Sequence, residues 1–276
     1  LKPFLNPVML KEYKLRFRSF KSFLGLMFYL LAVSIIIAGF MFINSQTMGG
    51  FYFRPDESRM MFMVLSFIQL GLILFITPGL TAGVISGERE KQTLSILLTT
   101  TQSSAAIITG KLVSSVSFLL LMIFASLPIY SIVFLFGGIS PLQLLTVFGY
   151  YIFIIFVFGS FGVLYSTLIR KTIVSMISTY GTALFFTAGT AFLLLVSMEF
   201  GNGAQGSNPV PYFLAMLNPF AILLGIFEPS ALEDLGRHTG IGFPLWGAQL
   251  ISYTILFTAA ILISIRKLRP KTATKR

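Results

Sequence analysis

Six stretches of this chain run on without a formally charged residue: 22–53, 60–87, 112–169, 172–198, 200–227 and 238–265. Each exceeds the roughly 20 helical residues that cross a bilayer core of about 30 Å. A helix satisfies its own backbone hydrogen bonds, which is what a segment in lipid requires. Run length therefore constrains the fold more than any single residue does. Composition agrees: charged residues make up 11% of the 276 residues and mean hydropathy is +0.88. A soluble domain carries about a quarter of its residues charged.

The run 112–169 is too long for one crossing, and Gly137-Gly138-Ile139-Ser140-Pro141 divides it. The expected architecture is an all-α polytopic membrane protein with six spans near 22–44, 60–86, 112–136, 143–169, 172–198 and 245–265. The apolar stretch 212–227 is short and broken at Asn218-Pro219, so it is expected as a re-entrant or interfacial hairpin within a last external loop, 200–244. The first run is too long for the core of a cleavable signal and follows a basic segment, so it is expected to remain as a span.

Charge sets the expected orientation. Of 20 basic residues, 17 fall before span one, between spans two and three, between four and five, or after span six. The other side has only Arg54, Arg59 and Arg237, with Asp56, Glu57, Glu199, Glu228, Glu233 and Asp234. The positive-inside rule then places both termini in the cytoplasm, including a basic tail at 266–276. The net charge of +11 is thus read as topology beside anionic headgroups rather than as nucleic-acid binding. The chain has no cysteine and one histidine, His238, which excludes thiol-ligated metal and leaves little for a histidine site.

Two cytoplasmic segments stand out. Residues 6–21 form an expected amphipathic interfacial helix, capped by Asn6-Pro7, with an apolar stripe of Leu10, Tyr13, Phe17 and Phe20 beside Lys11, Lys14, Arg18 and Lys21. Residues 83–100 read GVISGEREKQTLSILLTT. Gly87 interrupts the span, Glu88 and Glu90 suit the first turn of a new helix over 88–100, and Leu94, Leu97 and Leu98 share one face. Such a helix is suited to docking on a soluble partner, or serves as a plain connector.

That string, with SSAAIITGK at 103–111 and the opening Asn6-Pro7-Val8, Lys11-Glu12, Arg16 and Arg18, resembles the type-2 ATP-binding-cassette (ABC) transporter permeases. The resemblance spans essentially the whole chain. It implies a coupling helix that docks on a separate ATPase subunit, with Glu88, Arg89, Glu90 and Lys91 as polar contacts and Leu94, Leu97 and Leu98 as its packing face. It also implies a prokaryotic cell-membrane location, a second permease subunit, the same or related, and export. ATP and Mg would be held by the ATPase. This chain is expected to bind no cofactor: around Gly110-Lys111, the phosphate-loop pattern fails at Ala105 and Leu112. Replacing Glu88 and Glu90 by Lys is expected to release the partner and leave the spans folded.

Gly79, Gly83 and Gly87 follow small-xxx-small spacing, read as packing within the chain or as a subunit contact. No intramembrane charge points to ion coupling or proteolysis. The mildly polar residues Ser66, Gln69, Ser175, Thr179, Thr182 and Thr190 are either packing hydroxyls and amides or pathway-lining residues. The family resemblance, which places spans two and five at the pathway, makes them pathway candidates. A non-transporting membrane scaffold or sensor, and a stand-alone secondary transporter, are the rival functions.

Overall fold

Run length becomes helix length throughout the computed structural model, which describes residues 20–48, 55–99, 102–135, 137–201 and 208–269. The helices are α1 (Phe20–Met48), α2 (Pro55–Thr81), α3 (Ser86–Glu90), α4 (Leu94–Leu98), α5 (Ser104–Leu135), α6 (Pro141–Leu168), α7 (Thr172–Leu184), α8 (Thr190–Gly201), α9 (Val210–Leu217), α10 (Pro219–Phe227), α11 (Pro229–Thr239) and α12 (Leu245–Leu268). A π-turn, Phe185–Gly189, joins α7 to α8 as one span. Among the described residues, six helices are long and apolar enough to cross a membrane, as expected. The amphipathic helix expected at 6–21 and the tail beyond 269 lie outside the described residues, apart from the start of α1 and residues 266–269.

Local chemistry explains the helix ends. Ser140 accepts a hydrogen bond from the Gln143 amide and Pro141 occupies the first turn, so α6 starts directly after the two glycines. Asp56 and Glu57 sit in the first turn of α2, and Arg266 and Lys267 in the last turn of α12, each complementing the helix dipole. Gly240 closes α11 at φ 71°, a left-handed conformation suited to glycine.

Helix α6 is the hub. It packs on α2, α5, α7, α10 and α12, and 72% of its most apolar 18-residue stretch is buried, against 11% for span five. Spans one, five and six therefore turn broad faces outward. Lipid gives apolar helices no hydrophobic drive to associate, so close packing and internal hydrogen bonds must hold them. Glycine makes the tightest contact possible: a Cβ on Gly162 of α6 would lie 1.9 Å from Thr81 Oγ1.

Span three departs from the expectation. It begins at Ser104 rather than near 112, and Lys111 lies inside it, 3% exposed at its side chain. A charge at 111 reads as a boundary only until its partner, Glu88, is seen 2.6 Å away.

The hairpin expected at 212–227 is α9 and α10, bent by 92° at Asn218-Pro219. Backbone broken at this depth needs partners from the protein. The Asn218 side chain accepts from the Phe220 amide and donates to Thr187 O and Thr190 Oγ1. Tyr253 donates to Leu217 O, Tyr150 to Pro219 O and Gln249 to Asn218 O. Three spans thus pin one break. The π-turn supplies the Thr187 carbonyl, and Phe158, Phe161, Phe186 and Tyr253 pack their rings around it at 5.9–6.2 Å.

Candidate functional site

One end of the bundle brings together Arg89, Lys111, Arg170 and Lys267. There the GERE segment is two short helices, α3 and α4, rather than one helix over 88–100. The break falls at Lys91-Gln92-Thr93, where Gln92 takes a left-handed φ of 57°. The amides of Ile85 and Ser86, at the start of α3, both donate to Ser166 Oγ of α6 at 2.8 and 2.9 Å.

The charged side chains of α3 point back into the chain. Glu88 Oε1 accepts from Lys111 Nζ at 2.6 Å, which ties α3 to span three. Arg89 donates to the carbonyls of Thr167 and Ile169 at 3.1 and 3.4 Å, at the end of span four. Glu90 accepts from the Thr172 amide and hydroxyl at 2.8 and 2.9 Å, at the start of span five. Those two hydrogen bonds hold the exposed Glu90 carboxyl below its ordinary pKa. Three consecutive residues therefore fasten α3 to three different spans.

What remains outward differs from the expected docking face. Lys91, Gln92 and Ser95 are exposed, Leu98 is half-buried, and Leu94 is buried in the core. The Leu97 side chain lies outside the described residues. A Glu88→Lys change now meets buried Lys111, so the Glu88/Glu90 double substitution would strain the fold as well as any docking. The better probe is Lys91. Beside α3 and α4 lies a crevice of about 630 Å³, rimmed by Arg89, Arg170 and Lys267 and floored by Leu94, Leu98 and Leu268. Gly110-Lys111 sits within α5, both residues buried, so its backbone amides are committed to a helix rather than a phosphate loop.

The glycine row faces span five. A Cβ at Gly79 would meet Tyr180 Oη, and one at Gly83 would meet Thr172 Cγ2, each at 3.2 Å. Of the two readings left open, packing within the chain is the one present here.

The six mildly polar candidates do not line one surface. Ser66 and Gln69 are buried; the Ser66 carbonyl accepts from Tyr151 Oη at 2.9 Å. Ser175, buried, donates to Ala82 O at 2.8 Å, and Thr179 donates to Ser175 O. Thr182 pairs with Tyr165 at 2.8 Å, and Thr190 receives Asn218 at 3.0 Å. Ser175, Thr182 and Thr190 thus tie their span to other elements, while Thr179 bonds back within its own helix. An open crevice does lie between spans two and five and the hairpin, about 260 Å³, lined by Gly71, Phe75, Tyr180, Leu184, Thr187 and Phe220 among others. Sequence reasoning missed those residues because most are apolar and share no spacing pattern. It also missed Ser166 and Lys111, whose partners lie far away in sequence.

A bundle of six apolar helices long enough to cross a bilayer, with a short helical segment at one end fastened to three of them, supports a multi-pass membrane protein. The family model described as ABC-2 family transporter protein matches residues 9–265, and the chain belongs to that family. It is a permease subunit of an ABC transporter. No curated protein matches the chain.

Proposed function

We propose that this permease works as a dimer of membrane subunits, driven by two ATPase subunits that dock on the surface formed by α3, α4 and the adjoining basic crevice. The single observation that carries this reading is the triple fastening of α3. A force applied at Lys91, Gln92, Ser95 or Leu98 passes through Glu88 to span three, through Arg89 to span four and through Glu90 to span five. In this scheme Glu88, Arg89 and Glu90 transmit motion, while Lys91 and Leu98 meet the partner, with Leu94 backing them. ATP and Mg belong to the ATPase.

The basic end, with both termini, faces the cytoplasm in this reading, supported by the charge asymmetry. The broad exposed face of span five supports a second subunit there. The crevice between spans two and five is the pathway opening, with Phe75, Tyr180 and Leu184 as its walls in place of the buried hydroxyls. Its apolar lining suits an amphipathic or lipid-like cargo. Export rests on the family resemblance of residues 83–111.

The test is co-purification. Tagged wild-type chain should carry an ABC ATPase out of native membranes, and Lys91→Glu should reduce that yield about tenfold, a loss of about 1.4 kcal/mol, with an unchanged thermal midpoint. Full retention of the ATPase by Lys91→Glu combined with Leu98→Ala would remove the docking assignment. Absence of any ATPase from the wild-type complex would favour the scaffold reading.

A further inference from the structure

At the end opposite α3, two cavities adjoin. One, about 400 Å³, is cut between α6, α10 and α12, with Gly149, Phe153, Ile226 and Leu250 among its walls. The other, about 670 Å³, lies under α11 and carries Arg237 and Glu233. They share Gly225, Leu232 and Trp246, so they form one continuous groove.

The inner part is suited to hydrocarbon. Its two strongest polar groups are already satisfied, because the one Tyr150 hydroxyl proton is shared between Pro219 O and Gln249 Oε1, and Gln249 Nε2 donates to Asn218 O. Gly149 and Phe153 lie about 12 and 18 Å along α6 from Pro141, at 1.5 Å per residue. The groove therefore descends well into a hydrocarbon layer of about 30 Å. A Cβ at Gly149 would meet nothing within 4 Å, so the notch is open where that side chain would stand. A groove surrounded by bilayer chains loses its contacts if left empty.

The outer part is suited to a headgroup. Trp246, 58% exposed, stands at the junction, the place where tryptophan marks a membrane–water boundary. Arg237 and Glu233 offer opposite charges at the mouth; their mutual pair is long, 3.9 Å, and exposed, and Asp234 lies 3.6 Å from Arg237. A phosphate is matched by Arg237 and an ammonium by the acids.

We infer that this groove is a binding site for one zwitterionic phospholipid of the leaflet opposite α3, with an acyl chain against Gly149 and Phe153 and its headgroup between Arg237 and Glu233. The bound lipid braces the α10–α11 corner against spans four and six, apart from the crevice between spans two and five. The inference does not depend on ATPase docking.

Trp246 is the chain's only tryptophan, so its fluorescence reports this site alone. The purified full chain would be placed in phosphatidylglycerol vesicles containing increasing fractions of chain-brominated phosphatidylcholine. Wild-type quenching should saturate at low brominated fraction, whereas Gly149→Leu, which fills the notch, should be quenched only in proportion to the brominated fraction of the bulk lipid. Native mass spectrometry of the wild type after delipidation should retain one phospholipid, and Thr146→Phe, on the same lip, should lose it. Brominated phosphatidylglycerol should quench less steeply than the choline lipid, and inorganic phosphate should displace nothing. Identical quenching curves for wild type and Gly149→Leu, or no retained lipid in the wild type, would overturn the site. Steeper quenching by the anionic lipid, or displacement by phosphate alone, would overturn the headgroup assignment.

Discussion

Replacing Glu88 with Gln should destabilise the bundle from a position that reads, in sequence, as a contact for a separate subunit. The residue faces Lys111 Nζ at 2.6 Å, and the lysine side chain is 3% exposed. At that distance, with an effective dielectric of about 20, the attraction is about 6 kcal/mol before desolvation is counted. Desolvation offsets part of it, and removing one member of a buried pair costs about 3–5 kcal/mol. Glu88 is itself 29% exposed, so solvent screening brings the expected cost to about 2–3 kcal/mol. The assay is equilibrium unfolding in mixed micelles with rising SDS, followed by helical circular dichroism, for Glu88→Gln, Lys111→Gln and the double variant. The double variant should be more stable than the sum of the single losses predicts, with a coupling of about 1–2 kcal/mol. Additivity within about 0.5 kcal/mol would refute the pair as the tie between α3 and span three.

Three further outcomes follow from particular contacts. Gly162→Ala should cost about 1–3 kcal/mol by the same unfolding assay, and adding Thr81→Ala should recover only part, because Thr81 Cβ would still lie 2.7 Å from the new methyl. Asn218→Ala should cost about 1–2 kcal/mol through a lost helix cap and lost donors, with faster hydrogen exchange confined to α9 and α10. Because the chain has no cysteine, single-cysteine cross-linking is clean: Leu195→Cys on span five should form a covalent dimer in native membranes and Leu262→Cys on span six should not. The reverse pattern would move the proposed subunit contact to span six.

The places where sequence reasoning failed share a cause. Lys111 reads as a loop charge and Glu88 as a docking contact until their 2.6 Å approach is known. Ser66 and Ser175 read equally as packing or pathway hydroxyls, and both are buried between helices. The helix over 88–100 looked continuous because no glycine or proline interrupts it; the break at Gln92 follows Thr93 N bonding to Glu88 O and Gln92 N to Arg89 O. The Asn218-Pro219 interruption, by contrast, was visible, because asparagine before proline carries its own local chemistry.

Run length and the placement of charge, both properties of the linear chain, determined the six apolar helices, the division at Gly137-Gly138 and the broken hairpin. The physics there is local: a helix closes its own hydrogen bonds, and lipid rejects charge. Only the tertiary structure decided which face of each span is buried, that α6 is the hub, and that the GERE residues bind their own chain before any partner. Those outcomes depend on partners such as Ser166 with Ile85 and Thr172 with Glu90, some 80 residues apart, whose meeting no local pattern encodes.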